Sequence, residues 1–447
     1  MDTAKNPQVR NRLKYLVARF VPRSEYRRHA LVTSLTSVGL YAAGLATGPI
    51  LARALGPSGR GDIAAVLAPA TVLVLALAFG LPTAAAYFVD TIPEKELLVT
   101  ATAFGIVVGT PICIALWFLA PGYLEGHSPA SLTWARIVLL TVPLSVGMST
   151  ALEIRRRIRP GLSWNLWRSS PLLVPAIAII VLGLAGRLSL QSVLAANFVG
   201  SVIPMLLLAS RLIRRHPWPL PSLNTLRRIL PYAWRTASLG TAMSLTNRLD
   251  QVLLVGLVTP AELGLYAVSV MVASVTNPLT SGLSSALFGH LRGETSEVRA
   301  HARFRKSLAT TMLVSGAVAL GLALMAPLLL RIAFGNLFAP ATTTLRLLLP
   351  GAVAFDILGV IVTKLFSEGR PGEASWAALL GAVLTVIGLV TLAPRYGIEG
   401  AAVVTSIAWI SQVAFLVQRG ALRSRPGLTA GTEAATEESP PTPAFDA

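Results

Sequence analysis

The chain has 447 residues, 53% hydrophobic and only 13% charged, where a soluble domain carries roughly 25% charge; its mean hydropathy is +0.66. The net charge of +18 comes from basic residues clustered between long apolar runs, which excludes a soluble catalytic domain and a nucleic-acid-binding protein and points to loops facing anionic lipid. The single cysteine, Cys113, sits inside an apolar run, so disulfides and cysteine metal sites are excluded as well.

Residues 1–29 are a basic N-terminal segment. Leu13, Leu16, Val17, Phe20 and Val21 recur at helical spacing with Arg10, Arg12, Lys14 and Arg19 mostly on other faces. That pattern predicts an amphipathic helix lying on the membrane surface, with a solvated basic arm as the alternative. The apolar run that follows is about twenty residues long, beyond the 7–15 of a cleavable signal core, so a retained first span is expected.

A crossing needs about 20 mostly apolar residues. That ruler predicts an all-α polytopic membrane protein of about twelve spans. The first six are expected at 30–53, 63–89, 97–119, 132–152, 163–184 and 189–213. A basic connector at 214–231 separates them from six more, at 232–258, 263–290, 306–333, 342–366, 374–393 and 398–418. The expected organisation is therefore a first lobe at 30–213, a second at 232–418 and a disordered tail at 419–447, rich in Thr, Glu, Ala and Pro. With the N-terminus inside, 28 Lys and Arg fall on the cytoplasmic side and 5 on the outer side. Both termini are therefore expected in the cytoplasm.

The halves repeat in register. Leu55-Gly56-Pro57-Ser58-Gly59-Arg60-Gly61 returns as Val258-Thr259-Pro260-Ala261-Glu262-Leu263-Gly264, at an offset of 203. Pro129-Ala130, Gly161 and Gly186 return as Pro340-Ala341, Gly372 and Gly397, at an offset of 211. An even number of spans per copy makes this a parallel repeat, about an axis along the membrane normal.

Ile50-Leu51-Ala52-Arg53-Ala54-Leu55-Gly56-Pro57 with Gly61 and Gly80-Leu81-Pro82-Thr83 resembles the opening of the Wzx-like polysaccharide flippases. These belong to the multidrug/oligosaccharidyl-lipid/polysaccharide (MOP) exporter superfamily. Asn247-Arg248-Leu249-Asp250, Glu262-Leu263-Gly264-Leu265-Tyr266-Ala267, Leu348-Leu349-Pro350-Gly351 and Tyr396-Gly397-Ile398-Glu399-Gly400-Ala401-Ala402 resemble its later signatures, so the likeness spans about 30–418. The resemblance implies a two-lobed MATE-like fold in a bacterial plasma membrane. It also implies transfer of an undecaprenyl-diphosphate-linked glycan to the outer leaflet, and polysaccharide polymerases or glycosyltransferases as partners. No nucleic acid and no cofactor is expected, apart from a coupling H⁺ or Na⁺.

A charge at the bilayer centre costs roughly 2.5–3.5 kcal/mol, so a deep one asks for a role. Arg248 lies about 4–5 Å along the helix axis from the centre of the expected seventh span, and Asp250 about 7–8 Å. Asp356 lies near the centre of the tenth. The first half shows no comparably deep charge. Residues two apart do not share a helix face, so Arg248 and Asp250 are not expected both to point into a cavity and to pair well with each other, and Arg248 is the one expected to face it. Arg248 is the candidate for a diphosphate, because a guanidinium offers planar bidentate hydrogen bonds. Asn247, Arg235 and Arg53 complete the candidate substrate contacts, with snorkelling the alternative for Arg235. Asp250 and Asp356 are the candidates for ion coupling. A structural ion pair between Arg248 and Asp356 stays open, as do helix-bridging roles for Asn197, Asn277 and Gln412. A multidrug exporter of the same superfamily, favouring acidic cavity residues, is one alternative. A polymerase or ligase is another, although the longest outer loop, about 120–131, offers only Glu125 and His127.

Overall fold

The computed structural model describes residues 23–158, 161–213, 219–237, 242–278, 280, 282, 284, 287 and 296–422. The expected surface helix (apart from its last residues), Arg159, Arg214 and Arg215, and the tail beyond residue 422 lie outside the described residues. No strand occurs among those described.

Helix α1 runs from Arg23 to Ala78 and is broken at Gly56, whose φ of 66° and ψ of −175° suit only glycine. Phe79 and Gly80 turn the chain into α2, Leu81–Phe88, so the expected second span is interrupted ten residues before its end. α3 follows at Glu94–Tyr123. The expected fourth span is two helices, α4 at Pro129–Leu139 and α5 at Val142–Ile158, bent by 53°. Pro143 falls in the first turn of α5 and has no N–H to carry the helix through. Helices α6, Leu162–Leu184, and α7, Leu190–Ile213, close the first half.

In the region of the expected seventh span the described residues form α8, Leu223–Thr236, which begins nine residues before the expected start, and α9, Ala242–Leu254; residues 238–241 between them lie outside the described residues. α8 is amphipathic, with Thr225, Ile229 and Ala233 buried one turn apart and Arg227, Arg228 and Arg235 exposed. Its buried stripe docks on α2 and α3. Thr225 donates to Glu96, the Ser222 N–H donates to Thr100 Oγ1 at 3.2 Å, and Tyr232 stacks on Tyr87 at 4.4 Å. Gly80 permits the approach, because a Cβ there would overlap the Ala233 carbonyl oxygen. The second half continues with α10, Pro260–Ala273, α11, Glu297–Leu329, α12, Ala341–Ser367, and α13, Pro371–Gln418, broken at Gly397.

Among the described residues, six helices are long and apolar enough to cross a membrane, or seven counting the bent α4–α5 pair. Two of them, Gly39–Ala78 with 40 residues and α13 with 48, are about twice the length that a crossing requires, and each is broken by a glycine. Apolar side chains such as Val107, Phe118, Leu119, Leu313, Leu320 and Leu324 lie exposed along α3 and α11, as expected of surfaces that face lipid rather than water. The protein is a multi-pass membrane protein.

Two backbone features recur at the offsets of the repeated sequence motifs. α3 and α11 begin at Glu94 and Glu297, 203 residues apart. Gly186 and Gly397, 211 apart, both take positive φ. The two copies touch where the repeated motif begins. A Cβ on Gly61 would overlap the Pro260 carbonyl oxygen, and a Cβ on Gly264 would overlap that of Pro57. This reciprocal crossing of α1 and α10 brings backbones together at a distance that only glycine allows. Near it, the Tyr123 hydroxyl donates to the Val252 carbonyl at 2.5 Å and the Arg53 guanidinium donates to that of Ile332. Both bonds run from the first half to the second.

Candidate functional site

Between the halves lies a cavity of about 800 Å³. The first half contributes Tyr41, Arg60 and Thr71 from α1 and Asn197 and Ser201 from α7. The second contributes Arg248, Asp250 and Gln251 from α9, Asn277 after α10, and Thr405 and Trp409 from α13. Most of the remaining lining is apolar.

Arg248 is exposed to this space. The hydrogen bond it makes among the described residues is a long one, from Nη1 to Gln251 Oε1 at 3.4 Å, so its guanidinium keeps most of its donors for a ligand. Asp250 is buried in the same wall. Its Oδ1 accepts from the Gln251 N–H and its Oδ2 from the Tyr266 hydroxyl, both at 2.7 Å. Tyr266 in turn lies 3.0 Å from the Thr405 hydroxyl. Both Arg248 and Asp250 therefore border the cavity, and their hydrogen bonds among the described residues go to other groups. The long arginine reaches into the space while the short carboxylate stays in the wall.

The other expected residues scatter. Asp356 is buried on α12 and is not among the cavity-lining residues, although its neighbour Phe355 is; it accepts from Thr280 Oγ1 at 2.8 Å and Ser315 Oγ at 2.5 Å. Arg248 and Asp356 do not pair. Arg53 lies in a separate shallow groove with Ile50, Ile180, Gly183 and Leu188. Arg235 is exposed on α8, outside the cavity. Asn247 belongs to α9, but its side chain lies outside the described residues. Asn197 lines the cavity while donating to its own helix, at Val193 O, over 2.8 Å. Gln412 is buried outside the cavity and donates to Ala408 O at 3.3 Å.

Among the residues not expected at the site are Arg60 and Thr405, which line the cavity, and Tyr266, which is buried behind its wall. Arg60, assigned to an outer loop by the span ruler, lines the cavity, and its buried Nε has no hydrogen-bond partner. The signal was the single non-helical residue at Gly56: the helix resumes at once, so Arg60 sits in a helix and not in a loop. Tyr266 and Thr405 complete the Asp250 network from α10 and α13, 139 residues apart. No local pattern announces that contact.

A family model described as polysaccharide biosynthesis protein matches residues 50–343. The chain is 24% identical over 386 residues to the succinoglycan biosynthesis transport protein ExoT of Rhizobium meliloti (strain 1021), covering 84% of this chain and 75% of that protein. Its fold is similar to the inward closed conformation of the lipid II flippase MurJ, with a TM-score of 0.70, 15% identity and 87% of each chain covered. It is also similar to the inward-facing conformation of a multidrug resistance MATE family transporter of the MOP superfamily, with a TM-score of 0.69 and 14% identity, covering 90% of this chain and 96% of that one.

Proposed function

The chain belongs to the polysaccharide biosynthesis protein family, and from that premise we propose that it is a flippase, not an enzyme, that carries a polyprenyl-diphosphate-linked oligosaccharide from the cytoplasmic to the outer leaflet. The observation that carries this reading is the charge of the cavity. Among the described residues two guanidinium groups, Arg248 and Arg60, border it, while its one acid, Asp250, has both oxygens occupied by Tyr266 and Gln251. Such a cavity attracts an anion, and a guanidinium binds diphosphate through paired, charge-assisted hydrogen bonds. The apolar and amide-bearing remainder suits sugar rings and their hydroxyls.

In this reading the chain crosses a bacterial plasma membrane twelve times in two parallel sets of six, with both termini in the cytoplasm. The halves rock about the Gly61–Gly264 crossing and expose the cavity to each side in turn. Tyr123–Val252 and Arg53–Ile332 close its outer end. The cargo comes from cytoplasmic glycosyltransferases and passes to a polymerase outside; anionic lipids hold the basic loops. Asp250 or Asp356 takes the coupling H⁺ or Na⁺. Asp250→Asn or Asp356→Asn alters the response of transport to an imposed pH or Na⁺ gradient; unchanged responses in both variants remove these acids from coupling. A cation-coupled multidrug exporter fits less well, because an unpaired carboxylate facing the cavity is what a cationic drug would need.

The test is lipid-linked glycan accumulation, resolved by leaflet, in cells lacking the protein. Build-up of a polyprenyl-diphosphate oligosaccharide on the cytoplasmic side is the expected result. Build-up on the outer side moves the assignment to a step after flipping.

A further inference from the structure

Tyr266 is fully buried on α10, inside the core cluster that holds Leu254, Val255 and Leu263. A phenol has one hydrogen to donate, and here it goes to Asp250 Oδ2 at 2.7 Å. The Thr405 hydroxyl, 3.0 Å away, therefore donates to the phenol oxygen. The other carboxylate oxygen accepts the Gln251 N–H at 2.7 Å. Three helices, α9, α10 and α13, thus meet at one carboxylate and leave it no need of Arg248, two residues back on the same wall.

Without the phenol, Asp250 would keep a buried oxygen with no donor, a costly state for a charged group. The Arg248 guanidinium stands two residues back on the cavity side, joined among the described residues to Gln251 by a 3.4 Å bond. Opposite charges in a wall of low dielectric attract strongly. The phenol opposes that collapse.

We infer that Tyr266 is a positioning residue for cargo binding: it holds the Asp250 carboxylate in the wall, so that Arg248 meets an anion in the cavity without a competing carboxylate. The inference rests on the reading of Arg248 as the diphosphate contact and adds to it a specificity device. The cavity stays positive because its acid is tied back by a neutral hydroxyl, not because an acid is missing.

The experiment uses the purified full-length chain in detergent micelles and farnesyl diphosphate as the probe, with affinity read by titration calorimetry. Y266F weakens binding about tenfold, the order expected when a carboxylate turns toward the same space and partly neutralises one guanidinium. The double variant Y266F/D250N returns to the wild-type affinity, a rescue that a merely structural role of the tyrosine would not produce. Wild-type affinity in Y266F overturns the inference, and so does a double variant as weak as Y266F alone. If Y266F does not purify as a folded protein, D250N carries the test. Affinity at or above wild type is expected, and a loss overturns the inference by making the carboxylate part of the cargo site. R248A separates the two levels of the argument. Wild-type binding in R248A removes the underlying cavity reading, whatever Tyr266 does.

Discussion

The two halves share a backbone plan and differ in where they place charge. At the offset of 203, Arg248, Asp250 and Tyr266 of the second half correspond to Leu45, Thr47 and Ile63 of the first. In the opposite direction, Arg60 and Asp62 correspond to Leu263 and Leu265. Arg248 and Asp250 lie on the helix before the second half's break, and Arg60 and Asp62 on the helix after the first half's break, while Arg53 and Glu262 lie on the opposite sides. Thr47 bonds only to its own helix, at Ala43 O and Gly44 O. Asp62 is engaged by His127 Nδ1 at 2.8 Å and by the Ser128 N–H at 3.4 Å. The motif that joins the halves is kept twice, whereas the polar wall exists once in each half and in different places. The cavity is therefore asymmetric, with different polar groups presented by each half.

The largest expected effect breaks that asymmetry at its charged residue. Arg248→Ala lowers transport by about a hundredfold or more, the scale of removing a desolvated charge contact, while membrane insertion is unchanged. Arg60→Ala, from the other half, lowers it about tenfold, because its guanidinium borders the same cavity but lies close to the crossing of the halves. Arg235→Ala, on the exposed face of α8, leaves transport near normal. Quantified export in a strain complemented with each variant checks all three. Equal effects for Arg248 and Arg60 would make the cavity symmetric in function despite its sequence.

The crossing makes the opposite prediction, equal effects from both halves. Gly61→Ala and Gly264→Ala each push a methyl group into a carbonyl of the other half and destabilise by about 1–3 kcal/mol, the cost of overpacking. Gly316→Ala on α11 meets nothing within 4 Å and leaves the thermal midpoint unchanged or slightly raised, since alanine is the better helix former. Thermal unfolding in detergent distinguishes the three. A drop in only one of the crossing variants would deny the reciprocity of the contact.

Much of the scaffold is legible in the sequence because membrane helices are written in composition: long apolar runs, glycine breaks and a motif copied at fixed offset. Arg248 stands out for the same reason, as a charge where charge is costly. The rest depends on contacts between distant segments. The docking of α8 needs Ile229 and Ala233 to meet a surface opened by Gly80, about 150 residues earlier. Arg60 reads as a loop residue as long as Gly56-Pro57 is taken for a loop, because no hydropathy ruler separates a one-residue kink from a turn. Tyr266 belongs to a visible motif, but its partner Thr405 does not, and only the pair gives Asp250 its environment.

The finest expected effect is a loss of additivity at the two breaks, where equivalent positions use different chemistry. Gly56 turns the first half with a φ that a side chain disfavours. Thr259, its counterpart, turns the second half with a capping box: its hydroxyl accepts the Glu262 N–H at 3.3 Å, and the Glu262 carboxylate accepts the Thr259 N–H at 2.9 Å. Gly56→Ala is expected to cost about 1–3 kcal/mol through backbone strain, and Thr259→Ala about 1 kcal/mol through the lost cap. The distinguishing measurement is the response to Glu262→Ala. That change costs less once Thr259 is already alanine, since the two side chains act as one cap. In the Gly56→Ala background it keeps its full cost, because the first break contains no cap to lose. Thermal midpoints of the single and double variants read the difference, and additive costs in both backgrounds would mean that the second break, like the first, is held by its backbone alone.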